Sequence, residues 1–253
     1  MTALRIAVAG GRGEMGGLVS AIAAARGHEV VSLSRRDGVD LLTGAGAAEA
    51  LAGVDTVVDV LNGAGTGTTE GSRTFFGTTT KTLLAAEKAA GVRHHLAMSI
   101  VGIDRAPYDH YAGKVLQEQL IADGDVPWTI QRSTQWHSFP RYIYPRLKMG
   151  PIRVAPRARM QPVDPAEVAE RLVDAVEHGP AGRATDLGGP EELNLADMVR
   201  IYARAIGDRG WMPTVSQPGD IGRAARSGVL LPGPDADLGT RTYTEWIAAV
   251  VAR

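Results

Sequence analysis

The feature that most constrains the fold of this chain is an alternation of short apolar runs with longer segments of helical periodicity. The predicted strands lie at 6–9, 30–33, 56–60, 95–98 and 129–131, and the predicted helices at 14–26, 73–90 and 108–122. Apolar strands separated by helices of this length are typical of a parallel sheet with helices on both faces. We therefore predict an α/β fold with a doubly wound parallel sheet.

The composition excludes several classes of protein. The chain has 253 residues and a net charge of −1, from 27 basic and 28 acidic residues. This length allows one or two domains with a large core. The balance of charge offers no electrostatic footprint for nucleic acid or an anionic membrane, so we expect neither as a partner. The absence of cysteine excludes disulfides, a thiol nucleophile and a cysteine-based zinc site.

No targeting segment is apparent in the sequence, and we expect a cytoplasmic protein. The longest nearly apolar run, 96–103, is far shorter than the ~20 residues that a membrane-spanning helix needs.

The pattern becomes less regular after Arg132. Residues 135–160 contain four prolines and several aromatic residues, which favours an irregular, partly helical segment. Asp164 and Glu167 form a sequence capping box and predict that a helix begins there. Further helices are predicted from Asn194 and over 243–251, and a loop over 228–240. The helix that begins near Asp164 is predicted to bury Ala169, Leu172, Val173 and Val176. The helix from Asn194 is predicted to bury Leu195, Met198, Val199, Tyr202 and Ile206.

A glycine-rich turn lies between the first predicted strand and the first predicted helix. Gly10, Gly13 and Gly16 have the spacing G-x-x-G-x-x-G. The first glycine permits a tight turn, the second lets the backbone approach a pyrophosphate, and the third lets the helix pack close to the sheet. The positive N-terminus of the helix then faces the phosphates. We predict a dinucleotide-binding loop formed by Gly10, Arg12, Gly13, Glu14, Met15 and Gly16.

The residues after the second predicted strand indicate which dinucleotide binds. An acidic residue there would bind the ribose hydroxyls of NAD, whereas arginine suits the 2′-phosphate of NADP. The chain has Ser34, Arg35 and Arg36 at the expected distance from Gly10, although Asp37 follows directly. Solvated surface arginines are the alternative interpretation. We predict NADP(H), with NAD(H) less favoured.

Several stretches resemble the short-chain dehydrogenase/reductase superfamily, whose wider glycine spacing is the one found here. The stretches that carry the resemblance are 39–42 with 51–58, 97–102, 108–118 and 127–139. Together they are similar to the atypical, NmrA-like branch, over about residues 4–178. The resemblance implies a Rossmann-type, doubly wound parallel sheet with a small C-terminal substrate-binding part.

The resemblance also implies roles for individual residues. Asp40 and Leu41 would lie on the adenine side, and Asn62 and Gly63 near the riboses, in a flexible loop over 62–69. Substrate contacts would come from Gln135, Trp136 and Phe139. The predicted organisation is a dinucleotide-binding core at 1–134, a substrate-pocket segment at 135–160, a return to the core at 161–180 and a small substrate-side part at 181–253.

The predicted active-site helix departs from the superfamily pattern. Reductases of the superfamily use Tyr-x-x-x-Lys: the phenol donates a proton, and the lysine lowers the tyrosine pKa and holds the nicotinamide ribose. Here His110 lies four positions before Lys114, and Tyr111 lies three positions before it. These positions are neighbours on one helical face. We predict that Lys114 binds the ribose, that Tyr111 supplies the proton, and that Ser99 approximates the serine of the site.

His110 is the second candidate for the proton donor, because an unperturbed imidazole has a pKa of about 6.5. The alternative is that the catalytic site has been lost and that the chain only binds its cofactor. His94 and His95 start a strand without metal-ligand spacing, and we interpret them as structural and predict no metal site.

Three functions remain open on the sequence. The first is an NADPH-dependent oxidoreductase that reduces a small apolar or aromatic carbonyl or enone. The second is a non-catalytic NADP(H)-binding redox sensor, and the third is an epimerase or isomerase. The expected partner is a small-molecule substrate, and a homodimer stays open because no exposed helix face carries a distinctive seam.

Overall fold

The computed structural model describes residues 2–63 and 65–251, so Ala64 of the predicted loop lies outside the described residues. The chain forms two compact units: Met1–Arg132 with Val168–Ala184, and Ser133–Glu167 with Thr185–Arg253. The strands are β1 (Arg5–Ala9), β2 (Glu29–Leu33), β3 (Thr56–Asp59), β4 (His94–Ile100), β5 (Trp128–Ser133), β6 (Lys148–Met149), β7 (Ile152–Arg153), β8 (Ala155–Pro156), β9 (Arg159–Met160), β10 (Gly182–Arg183), β11 (Leu187–Gly188), β12 (Leu193–Asn194), β13 (Thr214–Val215) and β14 (Asp237–Leu238). The helices are α1 (Glu14–Ala25), α2 (Ala47–Ala50), α3 (Thr69–Ala90), α4 (His110–Ala122), α5 (Phe139–Ile143), α6 (Pro165–His178), α7 (Leu195–Ala205), α8 (Gly219–Ser227) and α9 (Tyr243–Val251).

The first unit is built on a sheet in the order β2-β1-β3-β4-β5-β10. Strand β1 pairs in parallel with both β2 and β3, and β3 pairs in parallel with β4. The side chains of β1 from Ile6 to Ala9 are fully buried, as expected for a central strand covered on both faces. Leu83 of α3 packs with Ala7 and Leu33, and Ile121 of α4 packs with Ile130. This sheet confirms the predicted α/β fold.

Two helices of the first unit begin at other residues than the sequence predicts. Helix α3 starts at Thr69 instead of near residue 73, because the Oγ1 atom of Thr68 accepts a hydrogen bond from the backbone N of Gly71 at 3.1 Å and caps the helix. Helix α4 starts at His110 instead of near residue 108. The residue before it, Asp109, has a φ of 46°, which lies outside the helical region.

The second unit has its own hydrophobic core. Met198 and Val199 of α7 pack there with Tyr243 and Trp246 of α9. Asn194 caps α7 as predicted, accepting a hydrogen bond from the backbone N of Ala196. The prediction that Ile206 is buried is wrong: this residue is 49% exposed, because it lies one residue beyond the end of α7. The predicted loop over 228–240 also contains the short strand β14.

Helix α6 begins at Pro165, directly after Asp164, where the sequence predicts a helix start. The Oδ1 atom of Asp164 accepts a hydrogen bond from the backbone N of Ala166 at 2.8 Å. The carboxylate of Glu167 accepts hydrogen bonds from the backbone N and the hydroxyl of Thr240. The four predicted apolar residues of this helix, from Ala169 to Val176, are all buried.

Across the two described ranges, none of the helices combines the length and the apolar character that crossing a bilayer requires.

Candidate functional site

The glycine-rich turn runs from the end of β1 into the N-terminus of α1. Gly10 has a φ of 83°, a conformation that favours glycine, and a Cβ atom on it would lie 3.0 Å from the carbonyl oxygen of Val60. A Cβ atom on Gly16 would lie only 2.2 Å from the carbonyl oxygen of Gly10. These two contacts explain the glycines at both ends of the motif: one forms the turn, and the other lets the helix pack closely on it.

Gly13 is the N-cap of α1, and its surroundings fit a phosphate group. Apart from its chain neighbours and its own helix, a Cβ atom on Gly13 would have one neighbour within 4 Å among the described residues, the carbonyl oxygen of Gly10 at 3.3 Å. Gly13 has no side chain with which to cap the helix, and its carbonyl oxygen accepts a hydrogen bond from the backbone N of Gly17. The N-terminus of a helix attracts anions through the backbone N–H groups of its first turn and through its dipole. Met15 is buried in this turn, whereas Arg12 and Glu14 are exposed.

A polar cluster lies where β2 ends, next to the glycine turn. The carboxylate of Asp37 pairs with the guanidinium group of Arg12, whose Nε atom lies 3.1 Å from Oδ2. The same carboxylate accepts hydrogen bonds from the hydroxyls of Ser32 at 2.8 Å and Ser34 at 2.6 Å. These partners, Arg12 most strongly, lower the pKa of Asp37. The cluster therefore contains a fixed negative charge held by one cation and two hydroxyl donors.

Arg35 and Arg36 follow directly in a short 3-10 turn, and both are exposed. Over residues 2–63 and 65–251, neither arginine forms an ion pair with a carboxylate. Two guanidinium groups are thus available beside Ser34, within two residues of the Asp37 cluster.

The other residues expected near the cofactor are placed as follows. The Oδ1 atom of Asp40 accepts a hydrogen bond from the backbone N of Leu42, and Leu41 is buried in the core of the first unit. Asn62 is exposed, and its Oδ1 atom accepts a hydrogen bond from the backbone N of Gly63. A Cβ atom on Gly63 would lie 2.3 Å from the ring of Phe75, which explains the glycine at that position.

Lys114 is buried in the first unit, with only 3% of its surface exposed. Its Nζ atom donates a hydrogen bond to the carbonyl oxygen of Met98 at 2.7 Å and a second one to Oε1 of Gln117. Nζ also lies 5.0 Å from the centre of the Phe76 ring. Burial lowers the pKa of Lys114 to about 8, and Asp59 and Glu118 oppose this shift.

His110 and Tyr111 lie together at the start of α4, with their ring centres 6.1 Å apart. Burial, followed by the charge of Lys114, lowers the pKa of His110 to about 4. His110 is therefore neutral near pH 7, whereas the ordinary pKa of about 6.5 assumed from the sequence would leave part of it protonated. Burial raises the pKa of Tyr111, whereas the resemblance predicted that Lys114 would lower it. The phenol of Tyr111 keeps its proton at neutral pH.

Ser99 is buried at the end of β4, beside the carboxylate of Glu118. Glu118 also accepts hydrogen bonds from Nε and Nη2 of Arg132 at 2.8 and 2.7 Å, and from Nη1 of Arg183 at 2.7 Å. Burial alone would raise the pKa of Glu118, but its partners, led by Arg132, lower it. Glu118 therefore ties α4 to β4, β5 and β10.

Sequence reasoning missed a buried Glu–His pair between α3 and the start of β4. Glu87 of α3 and His95 of β4 are both fully buried, and Nδ1 of His95 lies 2.8 Å from Oε1 of Glu87. Burial raises the pKa of Glu87. Burial alone would lower the pKa of His95, but Glu87 and Asp59 raise it. The signal in the sequence was the position of Glu87, four residues after Leu83 on the buried face of α3.

The two histidines of β4 have different partners. His94 is buried, and its Nε2 atom lies 2.9 Å from the hydroxyl of Thr129. In the part of the chain that the structure describes, no group of three or more histidine, aspartate or glutamate residues has the geometry to hold a metal ion.

The residues expected to contact substrate lie in the second unit. The Oε1 atom of Gln135 accepts a hydrogen bond from the backbone N of Trp136. The indole Nε1 of Trp136 donates to the hydroxyl of Ser133 at 3.2 Å. Phe139 packs against the core of the unit, and its ring stacks on Tyr142, which is 64% exposed.

Comparison with solved structures shows the fold to which these elements belong. The Bordetella bronchiseptica enzyme WbmH in complex with NAD+ matches with a TM-score of 0.77 and 13% identity, over 98% of this chain and 97% of that one. A short-chain dehydrogenase/reductase superfamily protein from Agrobacterium tumefaciens with bound NAD matches with a TM-score of 0.68 and 18% identity, over 98% and 96%. The chain shares the fold of these solved structures. An NADPH-dependent quinone oxidoreductase from Escherichia coli has the same fold, with a TM-score of 0.66 and 17% identity, over 97% and 99%.

No protein-family model and no curated protein matches the chain. The likeness to solved structures thus confirms the fold that the sequence resemblance implied. At these sequence identities it shows the fold alone, so the cofactor and the reaction are inferred from the residues of the site.

Proposed function

We propose that this protein is an NADPH-dependent oxidoreductase that reduces a small apolar or aromatic carbonyl or enone. The observation that carries the proposal is the glycine turn at the N-terminus of α1, whose N-cap residue is Gly13, next to Arg35 and Arg36. The close contacts at Gly10 and Gly16, together with the open side of Gly13, fit a dinucleotide pyrophosphate.

The surroundings of β2 support NADPH over NADH. Arg35 and Arg36 supply two exposed cations beside the hydroxyl of Ser34, and guanidinium groups bind phosphate through paired hydrogen bonds. Asp37 would favour the ribose hydroxyls of NADH if its carboxylate were free. It is already held by Arg12, Ser32 and Ser34, which limits that competing interaction.

We expect the double variant Arg35→Ala/Arg36→Ala to bind NADPH about 10- to 100-fold more weakly, because charge-assisted hydrogen bonds to the phosphate are lost. The affinity for NADH should change little. Calorimetric titration with both cofactors measures the difference. The matched control is Arg204→Ala/Arg209→Ala, which removes two exposed arginines from the second unit. Equal losses for both cofactors, or tighter binding of NADH by the unchanged protein, would contradict the NADPH preference.

Gly13→Val should weaken NADPH binding by about 10- to 100-fold, because the branched side chain would occupy the space that the phosphates need. The protein should stay folded, since the atom that the added Cβ meets among the described residues outside its own helix, the carbonyl oxygen of Gly10, lies at 3.3 Å. Gly17→Val is the control: it lies in the same helix and faces open space. Calorimetry and thermal unfolding measure both variants, and normal NADPH affinity in Gly13→Val would refute the phosphate-binding role of this turn.

The catalytic roles rest on α4. Bound NADPH would supply the hydride. Tyr111 would donate the proton, since its phenol stays protonated at neutral pH, and Lys114 would hold the nicotinamide ribose. Asp40, Leu41, Asn62 and Gly63 would line the adenosine and ribose regions, and Gln135, Trp136 and Phe139 would contact the substrate. Ser99 is outside this proposal, because its hydroxyl is buried beside Glu118.

One observation favours the sensor function as the second candidate. The ammonium group of Lys114 already binds the carbonyl oxygen of Met98 and the amide of Gln117, as expected of a structural lysine. Incubation with NADPH and a panel of ketones and quinones, followed through the absorbance of the reduced nicotinamide, separates the two functions. Consumption of NADPH with any of them supports the oxidoreductase. Tight binding of NADPH without consumption supports the sensor.

A further inference from the structure

Lys114 is the end of a buried chain of three polar side chains that crosses from α4 to β3. Its Nζ atom donates to Oε1 of Gln117, one turn further along the helix. The Nε2 atom of Gln117 in turn donates to Oδ2 of Asp59 at 2.8 Å. Lys114, Gln117 and Asp59 have 3%, 1% and 0% of their surfaces exposed.

The hydrogen-bonding chemistry of Lys114 and Asp59 fixes the orientation of the Gln117 amide. An ammonium group can only donate hydrogen bonds, and an ionised carboxylate can only accept them. The amide of Gln117 does both, so its oxygen must face Lys114 and its nitrogen must face Asp59. The carboxylate of Asp59 is itself held, because its Oδ1 atom accepts from the backbone N of Leu61 at 3.0 Å.

The charge of Lys114 depends on this environment. Burial disfavours the ammonium form, and His110 on α4 and His95 on β4 lie close enough to interact with its charge. Asp59 on β3 and Glu118 on α4 favour the charged form, and Glu87 on α3 is paired with His95. The resulting pKa of about 8 leaves the lysine mostly charged at neutral pH. Loss of one hydrogen bond would therefore change its charge in the physiological range.

We propose that Gln117, oriented by Asp59, is a positioning residue that keeps the ammonium group of Lys114 charged and directed for the nicotinamide ribose. The assignment to the ribose rests on the proposed function. The link to Asp59 and Gln117 stands on the geometry of the first unit.

The test follows the titration of Lys114 in the intact protein. The chain has four lysines, Lys81, Lys88, Lys114 and Lys148, so selective labelling of lysine side chains gives a small set of NMR signals. Gln117→Met keeps the size of the side chain and removes both hydrogen bonds. We expect the pKa of Lys114 to fall by about one to two units, because a hydrogen bond to a charged group is lost. Gln119→Met, on the exposed side of α4, is the control and should leave the titration unchanged.

A double variant separates positioning from packing. In Asp59→Asn/Gln117→Glu, the new amide can donate to the new carboxylate, which can still accept from Lys114, and the net charge is unchanged. This variant should keep the lysine charged to at least the pH of the natural protein. It also provides the measurement if Gln117→Met fails to fold.

The outcomes distinguish the inference from the proposed function. A parallel shift of the Lys114 titration and of the pH at which NADPH affinity declines supports both. An unchanged titration in Gln117→Met, or a double variant in which the lysine titrates as low as in Gln117→Met, overturns the positioning role. If the titration shifts while the natural protein binds no NADPH, the proposed function fails and the positioning role stands.

Discussion

Tyr111→Phe is expected to lower kcat for NADPH-dependent reduction by about 10²–10⁴, the usual contribution of a positioned proton donor. NADPH affinity should stay unchanged, because the variant lacks only the phenolic oxygen and keeps the ring beside His110. The phenol is protonated at neutral pH, since burial raises its pKa, so it can donate without first taking up a proton. Steady-state rates with the best substrate of the panel, together with calorimetry, measure the two effects separately.

The chain offers a matched control for this change. Tyr108 lies three residues earlier and is 40% exposed, so Tyr108→Phe should leave kcat and affinity unaltered. His110→Ala should also have a much smaller effect than Tyr111→Phe, because a histidine with a pKa of about 4 is a poor proton donor near pH 7. A normal rate in Tyr111→Phe, with a large loss in His110→Ala, would transfer the proton-donor role to His110. Normal rates in both Tyr111→Phe and His110→Ala would mean that neither side chain of α4 is the proton donor.

The sequence predicts those parts of the fold that depend on local pattern. Apolar runs predict the strands. The spacing of Gly10, Gly13 and Gly16 predicts the turn into α1, because a side chain at these positions would contact the neighbouring backbone. The start of α3 was predicted too late, because residues 62–69 read as a glycine-rich loop and conceal the cap formed by Thr68. The resemblance located Lys114, Tyr111 and His110 on one helix, which the structure contains as α4.

The surroundings of those residues depend on contacts that sequence spacing does not encode. Gln117 and Asp59 are 58 positions apart, and their contact requires α4 to pack beside the end of β3. The pKa values of His110 and Tyr111 shift because of burial, which is a property of the packed unit. A motif therefore indicates which side chains are near the site, whereas their protonation follows from the fold.

The stability of the first unit should depend strongly on the pair formed by Glu87 and His95. Glu87→Ala is expected to lower the free energy of unfolding by about 3–5 kcal/mol, because it leaves His95 buried without its carboxylate partner and opens a cavity. The distance of 2.8 Å from Nδ1 of His95 to Oε1 of Glu87, with both side chains fully buried, makes this pair the strongest candidate for such an effect. Denaturant unfolding at pH 7 measures the loss.

Replacement of an exposed glutamate of α6, Glu170→Ala, is the control and should change the free energy of unfolding by no more than about 0.5 kcal/mol. The double variant Glu87→Leu/His95→Leu removes both polar groups and should recover much of the lost stability, since apolar replacement of a buried pair is often neutral. A double variant that is less stable than Glu87→Ala would instead mean that the pair itself contributes the stability, and not merely the absence of an unpaired buried group.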